Sequence, residues 1–379
     1  MIRGQFAVGR YIQGPGALSR CGEFMPVKRG KVLFLADEIV MGLTHDQFAS
    51  SVADAGLCAV PCLFGGECSE EEIHRVRERA VSSDVALIAG AGGGKCIDTA
   101  RMVSHFLELP LVSIPTIAAT NSATSSLAAV YSEDHSYRYA VKVGRTPELA
   151  VVDTRIIAQA PVRFLVAGMG DALCPKYEGR AMQLSGKLTV HGTRPSDTAL
   201  AISEMAHEII LEKGSLAMMS VQHKRVTPAL EDTVEAILFL SELGAEGGGG
   251  TAVGHGLHAA FTVLPELKAV YHGERAVFGL IVQLILEDRP LWEISRIQDF
   301  CVEVGLPVTL AQLRITNGVE EALGKVVRKA CEPGGYVHNM PFPVTEESLT
   351  GAIHAADALG RKALARSNGS TSERGWRDS

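Results

Sequence analysis

Gly90-Ala91-Gly92-Gly93-Gly94-Lys95 follows the apolar run Val85–Ala89 and precedes a helix-like stretch from Cys96 to Phe106. Glycines let the main chain come close to a pyrophosphate, and free N–H groups at the positive end of the following helix favour its charge. Lys95 would add a point charge. The pattern is neither G-x-G-x-x-G, which fails at its third glycine, nor a Walker loop, which needs a Lys-Ser/Thr pair. On this run alone, a nucleotide site and a tight structural turn are both open. Upstream, the strand Val32–Ala36 ends at Asp37, where a Rossmann-type fold places the carboxylate that accepts hydrogen bonds from an adenosine ribose. The order is unusual, with the acid first and the glycines about 55 residues later. Asp37-Glu38 equally suits a solvated turn. In the ribose role the carboxylate favours NAD over NADP, because it repels a 2′-phosphate.

Asp171, after Gly168-Met169-Gly170, and two distant histidines, His255 and His272, amount to one carboxylate and two imidazoles. That donor set suffices for a catalytic zinc or iron and leaves positions for water or substrate. His258 shares a helical face with His255, so His255 and His258 form a rival ligand pair on spacing alone. An Asp beside glycines is also a common helix cap, and most of the 12 histidines are surface or core groups.

The elements that must position these residues fall into two kinds. With 379 residues the chain exceeds the ~250–300 at which single cores stop growing. From Lys31 to Pro115, short apolar strands (Val32–Ala36, Cys58–Leu63, Val85–Ala89, Leu111–Ile114) alternate with amphipathic segments near Thr44–Ala55 and Ser69–Ser82 and after Lys95. This alternation predicts a Rossmann-like parallel sheet with helices on both faces. Leu127–Val130 and Tyr139–Val143 flank a polar turn at Glu133-Asp134-His135 and read as a hairpin, followed by a strand at Leu149–Val152. Beyond Pro161, helical periodicity takes over at Val162–Met182, Asp197–Glu212, Pro228–Gly244, Ala276–Glu287 and Glu347–Arg366. Asp153 or Thr154 suits the cap of a short helix at the boundary. The expected division is residues 1–160 as an α/β nucleotide-binding domain, 161–366 as an all-α metal-binding domain, and 367–379 as a disordered polar tail.

Composition narrows the partners. A net charge of −7 and the absence of any basic block interleaved with aromatics exclude a nucleic-acid surface and leave a small molecule. The N-terminal residues lack a signal-peptide core and no apolar run approaches ~18 residues, so neither export nor a membrane is expected, and the cytoplasm is. Eight cysteines without a C-x-x-C pair read as buried thiols in a reducing compartment.

Together these pieces resemble the glycerol dehydrogenases of the iron-containing alcohol dehydrogenase superfamily, over nearly the whole chain apart from the last dozen or so residues. The carrying motifs are Gly92-Gly93-Gly94-Lys95-Cys96-Ile97-Asp98-Thr99-Ala100, Pro115-Thr116-Ile117-Ala118, Gly168 to Ala172, Tyr271-His272-Gly273-Glu274 and His338-Asn339-Met340-Pro341. The resemblance implies a dehydroquinate synthase-like architecture that binds NAD and a divalent ion, usually zinc with iron as the alternative. It makes Asp171, His255 and His272 the metal ligands and His258 a near-site catalytic group, a candidate proton carrier beside a water chain. It puts Asp37 on the ribose, Gly92 to Lys95 on the pyrophosphate, and Asp98, Thr116, Ala119, Ser125, Leu127 and Tyr131 along the cofactor. Asp98 has a second reading as an early-turn acid that stabilises the helix dipole. A homo-oligomer, up to an octamer, is implied as well. The implied reaction is oxidation of glycerol or a related vicinal diol, with hydride passing to nicotinamide.

The match departs at two places. Asn121 stands where the family usually has a carboxylate that contacts the polyol, so substrate preference is expected to move away from glycerol; Asp171 remains on the substrate side. The run Gly247-Gly248-Gly249-Gly250 ahead of His255 predicts a looser, roomier pocket wall. The rival readings are a different small hydroxy-compound dehydrogenase of the superfamily, or a cyclase or lyase of the 3-dehydroquinate synthase type. The latter needs a basic phosphate cluster, and Lys176, Lys268 and Arg275 do not make one.

Overall fold

The computed structural model describes residues 2–133 and 137–374, so Asp134 and His135 of the expected turn, and residues 375–379 of the expected tail, lie outside the described residues. The chain forms two compact units, an α/β unit of Phe6–Leu165 with Leu216–Leu243, and a helical unit of Met1–Gln5, Val166–Ser215 and Gly244–Ser379.

In the α/β unit the elements run β1 (Tyr11–Gly14), β2 (Gly30–Ala36), α1 (Glu38–Asp54), β3 (Leu57–Leu63), α2 (Glu70–Ser82), β4 (Val85–Gly92), α3 (Gly94–Leu107), β5 (Leu111–Pro115), β6 (Leu127–Tyr131), β7 (Tyr137–Lys142), β8 (Leu149–Asp153) and α4 (Thr154–Gln159). Six strands pair in parallel in the order β1-β8-β5-β4-β2-β3, and β6 pairs antiparallel with β7 as the expected hairpin. Alternate residues of β2 feed opposite cores. Val32, Phe34 and Ala36 pack with Phe48 and Val52 of α1, whereas Leu33 and Leu35 pack with Val76 of α2 and Ala100 and Val103 of α3. A strand buried on both faces reads as an unbroken apolar run, which is why β2 was legible. Local signals fix several helix starts: Ser69 caps α2 through the Glu72 N–H, and Asp153 caps α4 through the Arg155 N–H.

The strand order explains the inverted sequence order of acid and glycines. After β3 the chain crosses back, and β4 pairs with the other side of β2, with Leu35 opposite Gly90. The carboxyl ends of β2 and β4 are therefore neighbours at the point where the winding reverses, which is where open α/β sheets bind ligands. Residues 216–243 join this unit because Glu231 accepts from Gln13 Nε2 (2.7 Å) and Thr154 Oγ1 (2.6 Å).

The remaining helices are α5 (Val162–Ala172), α6 (Pro175–Ser185), α7 (Asp197–Gln222), α8 (Pro228–Glu235), α9 (Ser241–Gly248), α10 (Val253–Phe261), α11 (His272–Leu286), α12 (Leu291–Val304), α13 (Val319–Ala330) and α14 (Glu346–Arg374). Pro175 splits the expected Val162–Met182 helix, since it cannot donate within a helix but is tolerated at its first position. Helix α14 continues through Arg374, where a disordered tail was expected from residue 367. Extending an existing helix costs far less than nucleating one, so a weakly helical polar sequence follows α14 outward. Within the glycine run, a Cβ on Gly247 would lie 2.3 Å from Gln5 Oε1 and one on Gly250 2.9 Å from Ala245 Cβ, while one on Gly248 would make only ordinary contacts, the nearest at 3.7 Å. No helix of the described residues is long and apolar enough to cross a membrane.

His207 on α7 is buried, with Nδ1 3.3 Å from the Leu173 carbonyl oxygen. Burial, followed by the charge of Lys176, pushes its pKa down from 6.5 to about 3. Below pH 6.5 the unfolded chain therefore takes up a proton that the folded chain refuses, and stability falls as pH drops towards 3. Between pH 7 and pH 5 the wild type should lose about 2 kcal/mol more unfolding free energy than His207→Gln, at ~1.4 kcal/mol per pH unit below 6.5. Equal losses in denaturant titrations at the two pH values would rule out a neutral His207.

Candidate active site

At the carboxyl end of β4 the chain turns into α3 through Gly92, whose φ of +149° favours glycine. The α3 N-cap, Gly93, has no side chain, so the first-turn N–H groups receive no side-chain cap. Gly90 has a packing role, because a Cβ there would lie 2.6 Å from Ala100 Cβ and hold α3 off the sheet. Asp37 caps α1, accepting from the Val40 N–H at 2.9 Å through Oδ1 alone. Both halves of the expected dinucleotide site thus occupy adjacent strand ends with donors and an acceptor available.

Lys95 does not stand alone as the expected point charge. Its Nζ lies 2.5 Å from Glu67 Oε2 and 4.8 Å from the centroid of the Tyr131 ring. An anion placed at this turn would therefore meet mainly the backbone of the first turn, with Lys95 anchored beside it. Asp98 is buried, and burial pushes its carboxyl up, with Arg101 foremost among the groups that pull it back. It accepts from Arg101, from Ser122 Oγ (2.8 Å) and from the Ala129 N–H (3.1 Å). It therefore braces the hairpin and the 120s loop against α3 rather than serving only the helix dipole. In that loop the Thr116 N–H donates to the Gly92 carbonyl (3.2 Å), and Ser125 Oγ accepts from the Leu127 N–H (3.0 Å), while Leu127 O accepts from Arg101. Ala119 and Asn121 are half-buried, and the Asn121 carbonyl accepts from the Thr124 N–H.

In the helical unit Asp171, His255 and His272 come together, each pair of ligand atoms lying within 4.8 Å. Glycines make this possible. A Cβ on Gly170 would lie 2.6 Å from the Gly273 carbonyl oxygen, and one on Gly273 would lie 1.8 Å from that of Ala167, so α5 and the start of α11 meet backbone to backbone. Asp171 Oδ1 is 3.2 Å from Nε2 of both imidazoles, while Oδ2 is buried with no hydrogen-bond partner. A buried carboxylate oxygen without a donor is costly, and a cation among these three side chains would supply what it lacks. The residues therefore fit a divalent metal. Burial pushes the Asp171 carboxyl up, but His272 and His255 outweigh burial and hold it below the usual carboxylate range.

His258 stands outside this cluster. Its ring lies 3.8 Å from that of His272, tilted by 43°, and its Nδ1 accepts from Arg275 Nε (3.3 Å). Burial, then His272 and Arg275, lower its pKa. A neutral imidazole that accepts at Nδ1 carries its proton on Nε2. His258 is thus arranged to donate a hydrogen bond from Nε2. A second cluster, Cys174, Glu178 and His255, also has metal-ligand spacing. Cys174 is a poor ligand there, because burial, followed by Glu178 and Asp171, pushes its thiol up, and Sγ lies 3.5 Å from the Gly170 carbonyl oxygen. Sequence reasoning missed Glu178, which is fully buried with Oε2 2.5 Å from His255 Nδ1, and Glu67, the partner of Lys95. A Glu inside an otherwise small and apolar helical face was the available signal for Glu178.

Residues 9–154 match the iron-containing alcohol dehydrogenase family. Over 356 residues the chain is 40% identical to a glycerol dehydrogenase of Pseudomonas putida, covering 94% of this chain and 97% of that one. It is 37% identical to a glycolaldehyde reductase of Halobacterium salinarum, over 93% of this chain and 96% of the relative. Among solved structures, glycerol dehydrogenase from Schizosaccharomyces pombe matches with a TM-score of 0.92 at 30% identity, over 97% of this chain and 93% of that chain.

Proposed function

The chain belongs to the iron-containing alcohol dehydrogenase family, and from that premise we propose that it oxidises glycerol, or a vicinal diol close to it, to the hydroxyketone while reducing NAD. The observation that carries this reading is the Asp171, His255 and His272 cluster with its unpartnered carboxylate oxygen. The family uses NAD and a divalent metal; we assign zinc, whose preference for imidazole and carboxylate donors suits this set. When bound, the metal supplies a Lewis acid that lowers the pKa of a substrate hydroxyl, and NAD supplies the hydride acceptor.

The chain's own residues have distinct tasks in this reading. Asp171, His255 and His272 hold the metal, and Glu178 fixes the His255 ring. The uncapped first turn of α3 takes the pyrophosphate, and the free acceptor of Asp37 takes ribose hydroxyls, which favours NAD. His258, held by Arg275, donates to a substrate oxygen. Asn121 sets selectivity. All eight cysteines are free thiols, which supports a reducing, cytoplasmic setting. The exposed Leu291 and Trp292 offer an apolar surface suited to a homo-oligomer.

The test is steady-state kinetics of the zinc-loaded protein over a panel of diols, hydroxy acids and hydroxyaldehydes. Net NADH accumulation with glycerol or a vicinal diol is expected; a cyclase would regenerate its NAD within the turnover and accumulate none. Asn121→Asp should shift kcat/KM towards glycerol by roughly fivefold, from the ~1 kcal/mol by which a charge-assisted hydrogen bond exceeds a neutral one. An unchanged substrate profile would remove Asn121 from selectivity.

A further inference from the structure

Helix α10 carries His255 but lacks a cap of its own. The position before it is Ala252, preceded by Thr251 and the glycine run, and no local side chain reaches its first N–H groups. The first four N–H groups of a helix have no partner within it. Here they are those of Ala252, Val253, Gly254 and His255, since the Gly256 N–H is the first to bond back, to the Ala252 carbonyl at 2.9 Å.

All four are met by two buried side chains from other helices. Glu178 Oε1, from α6, accepts from Ala252 (2.7 Å) and His255 (2.8 Å). Gln283 Oε1, from α11, accepts from Val253 (3.1 Å) and Gly254 (3.3 Å). Gln283 is the one side chain able to do this in the otherwise apolar run Ala276–Leu286. Its amide is fixed in direction, because Nε2 donates to Glu287 Oε1 at 2.9 Å. Glycines admit the acceptors: a Cβ on Gly254 would lie 3.1 Å from Glu178 Oε1, and one on Gly279 would lie 2.5 Å from the Gly254 carbonyl oxygen. On the preceding residue, Asn339 Nδ2 donates to the Thr251 carbonyl at 2.8 Å.

We infer that Glu178 and Gln283 together cap α10 from outside it and are the positioning residues of the metal ligand His255, Gln283 through the backbone and Glu178 through both backbone and ring. Glu178 Oε2 lies 2.5 Å from His255 Nδ1. A carboxylate only accepts, so Nδ1 must carry a proton, and the ring presents Nε2 towards Asp171 for coordination. The arrangement makes one carboxylate hold both two N–H groups at the N-terminus of the ligand-bearing helix and the tautomer of its ligand.

The inference rests on the reading that Asp171, His255 and His272 hold the metal, and the test separates the two. Zinc affinity of the full-length apoprotein is measured by competition with a chromophoric chelator, alongside the His255 ring tautomer by ¹⁵N NMR and the melting midpoint. Glu178→Gln keeps an acceptor for the two N–H groups but presents an NH₂ to Nδ1. It should move the ring proton to Nε2 and weaken zinc by about 10- to 100-fold with the apoprotein still folded. Gln283→Met should weaken zinc and lower the midpoint, and the exchanged pair Gln283→Glu with Glu287→Gln, which restores every hydrogen bond, should recover both. Wild-type zinc affinity in Glu178→Gln with the ring proton unmoved would overturn the inference. Undiminished affinity in His255→Ala would instead overturn the metal reading itself.

Discussion

Replacing Asp171 by Asn is expected to strip the protein of its divalent metal and lower kcat/KM by about a thousandfold or more, with NAD affinity unchanged. The substitution keeps the shape of the side chain and removes its charge. Asp171 is the only carboxylate in the cluster whose oxygen is buried and unpartnered, and its Oδ1 faces Nε2 of both His255 and His272 at 3.2 Å. An amide there offers one weaker donor atom and turns an N–H₂ towards the imidazoles. Loss of a Lewis acid costs several kcal/mol of transition-state stabilisation, and ~4 kcal/mol is a factor of about a thousand. The elements proposed for the cofactor, Asp37 and the first turn of α3, belong to the other compact unit, so NADH fluorescence titration should give the wild-type affinity. Metal analysis after dialysis and steady-state rates complete the measurement. A variant that retains stoichiometric metal and near-full activity would remove Asp171 from the reaction.

Much of this site was legible, and what was hidden shares one physical character. The buried strands β2 to β5 announce themselves as apolar runs, and Asp37 and the glycine turn could each be found at a strand end. Their adjacency could not, because it comes from β4 pairing with β2 rather than with β3, a matter of sheet order that spacing does not encode. Strand β1 escaped for a different reason: Tyr11–Gly14 is short, lies at the sheet edge and is half-buried throughout, so it has neither an apolar run nor alternation. Residue type brought out the carboxylate and the imidazoles of the candidate metal cluster but left His258 as a rival to His272, and the family resemblance chose between them. Glu178 and Gln283 were not legible, since their partners are backbone N–H groups far along the chain, 74 residues from Glu178 to Ala252 and 30 from Gln283 to Val253. Glycines misled in the same way. The run at Gly247–Gly250 looks loose in sequence, yet at Gly247 and Gly250 the missing side chain allows close approach.

Asp98 is where stability and cofactor binding can be separated. Replacing it by Ala should cost about 3–5 kcal/mol of unfolding free energy, the penalty for leaving one member of a buried ion pair without the other. Arg101 is buried to 2% exposure and its Nε already has no partner, so the guanidinium depends on Asp98 and the carbonyls of Leu127 and Ser122. The same carboxylate holds Ser122 Oγ and the Ala129 N–H, so its removal also frees the loop that carries Asn121. Asp98→Asn keeps an acceptor and the volume and should cost clearly less, while replacing both residues by apolar ones of similar volume should recover most of the loss. Denaturant unfolding of the single and paired variants gives these values. The alternative role, a direct contact with the cofactor, predicts a different pattern: Asp98→Asn would weaken NAD binding at least tenfold with little change in stability. If unfolding and NAD titration give that second pattern, Asp98 faces the ligand; if stability moves first, the buried pair is the reason the loop keeps its shape.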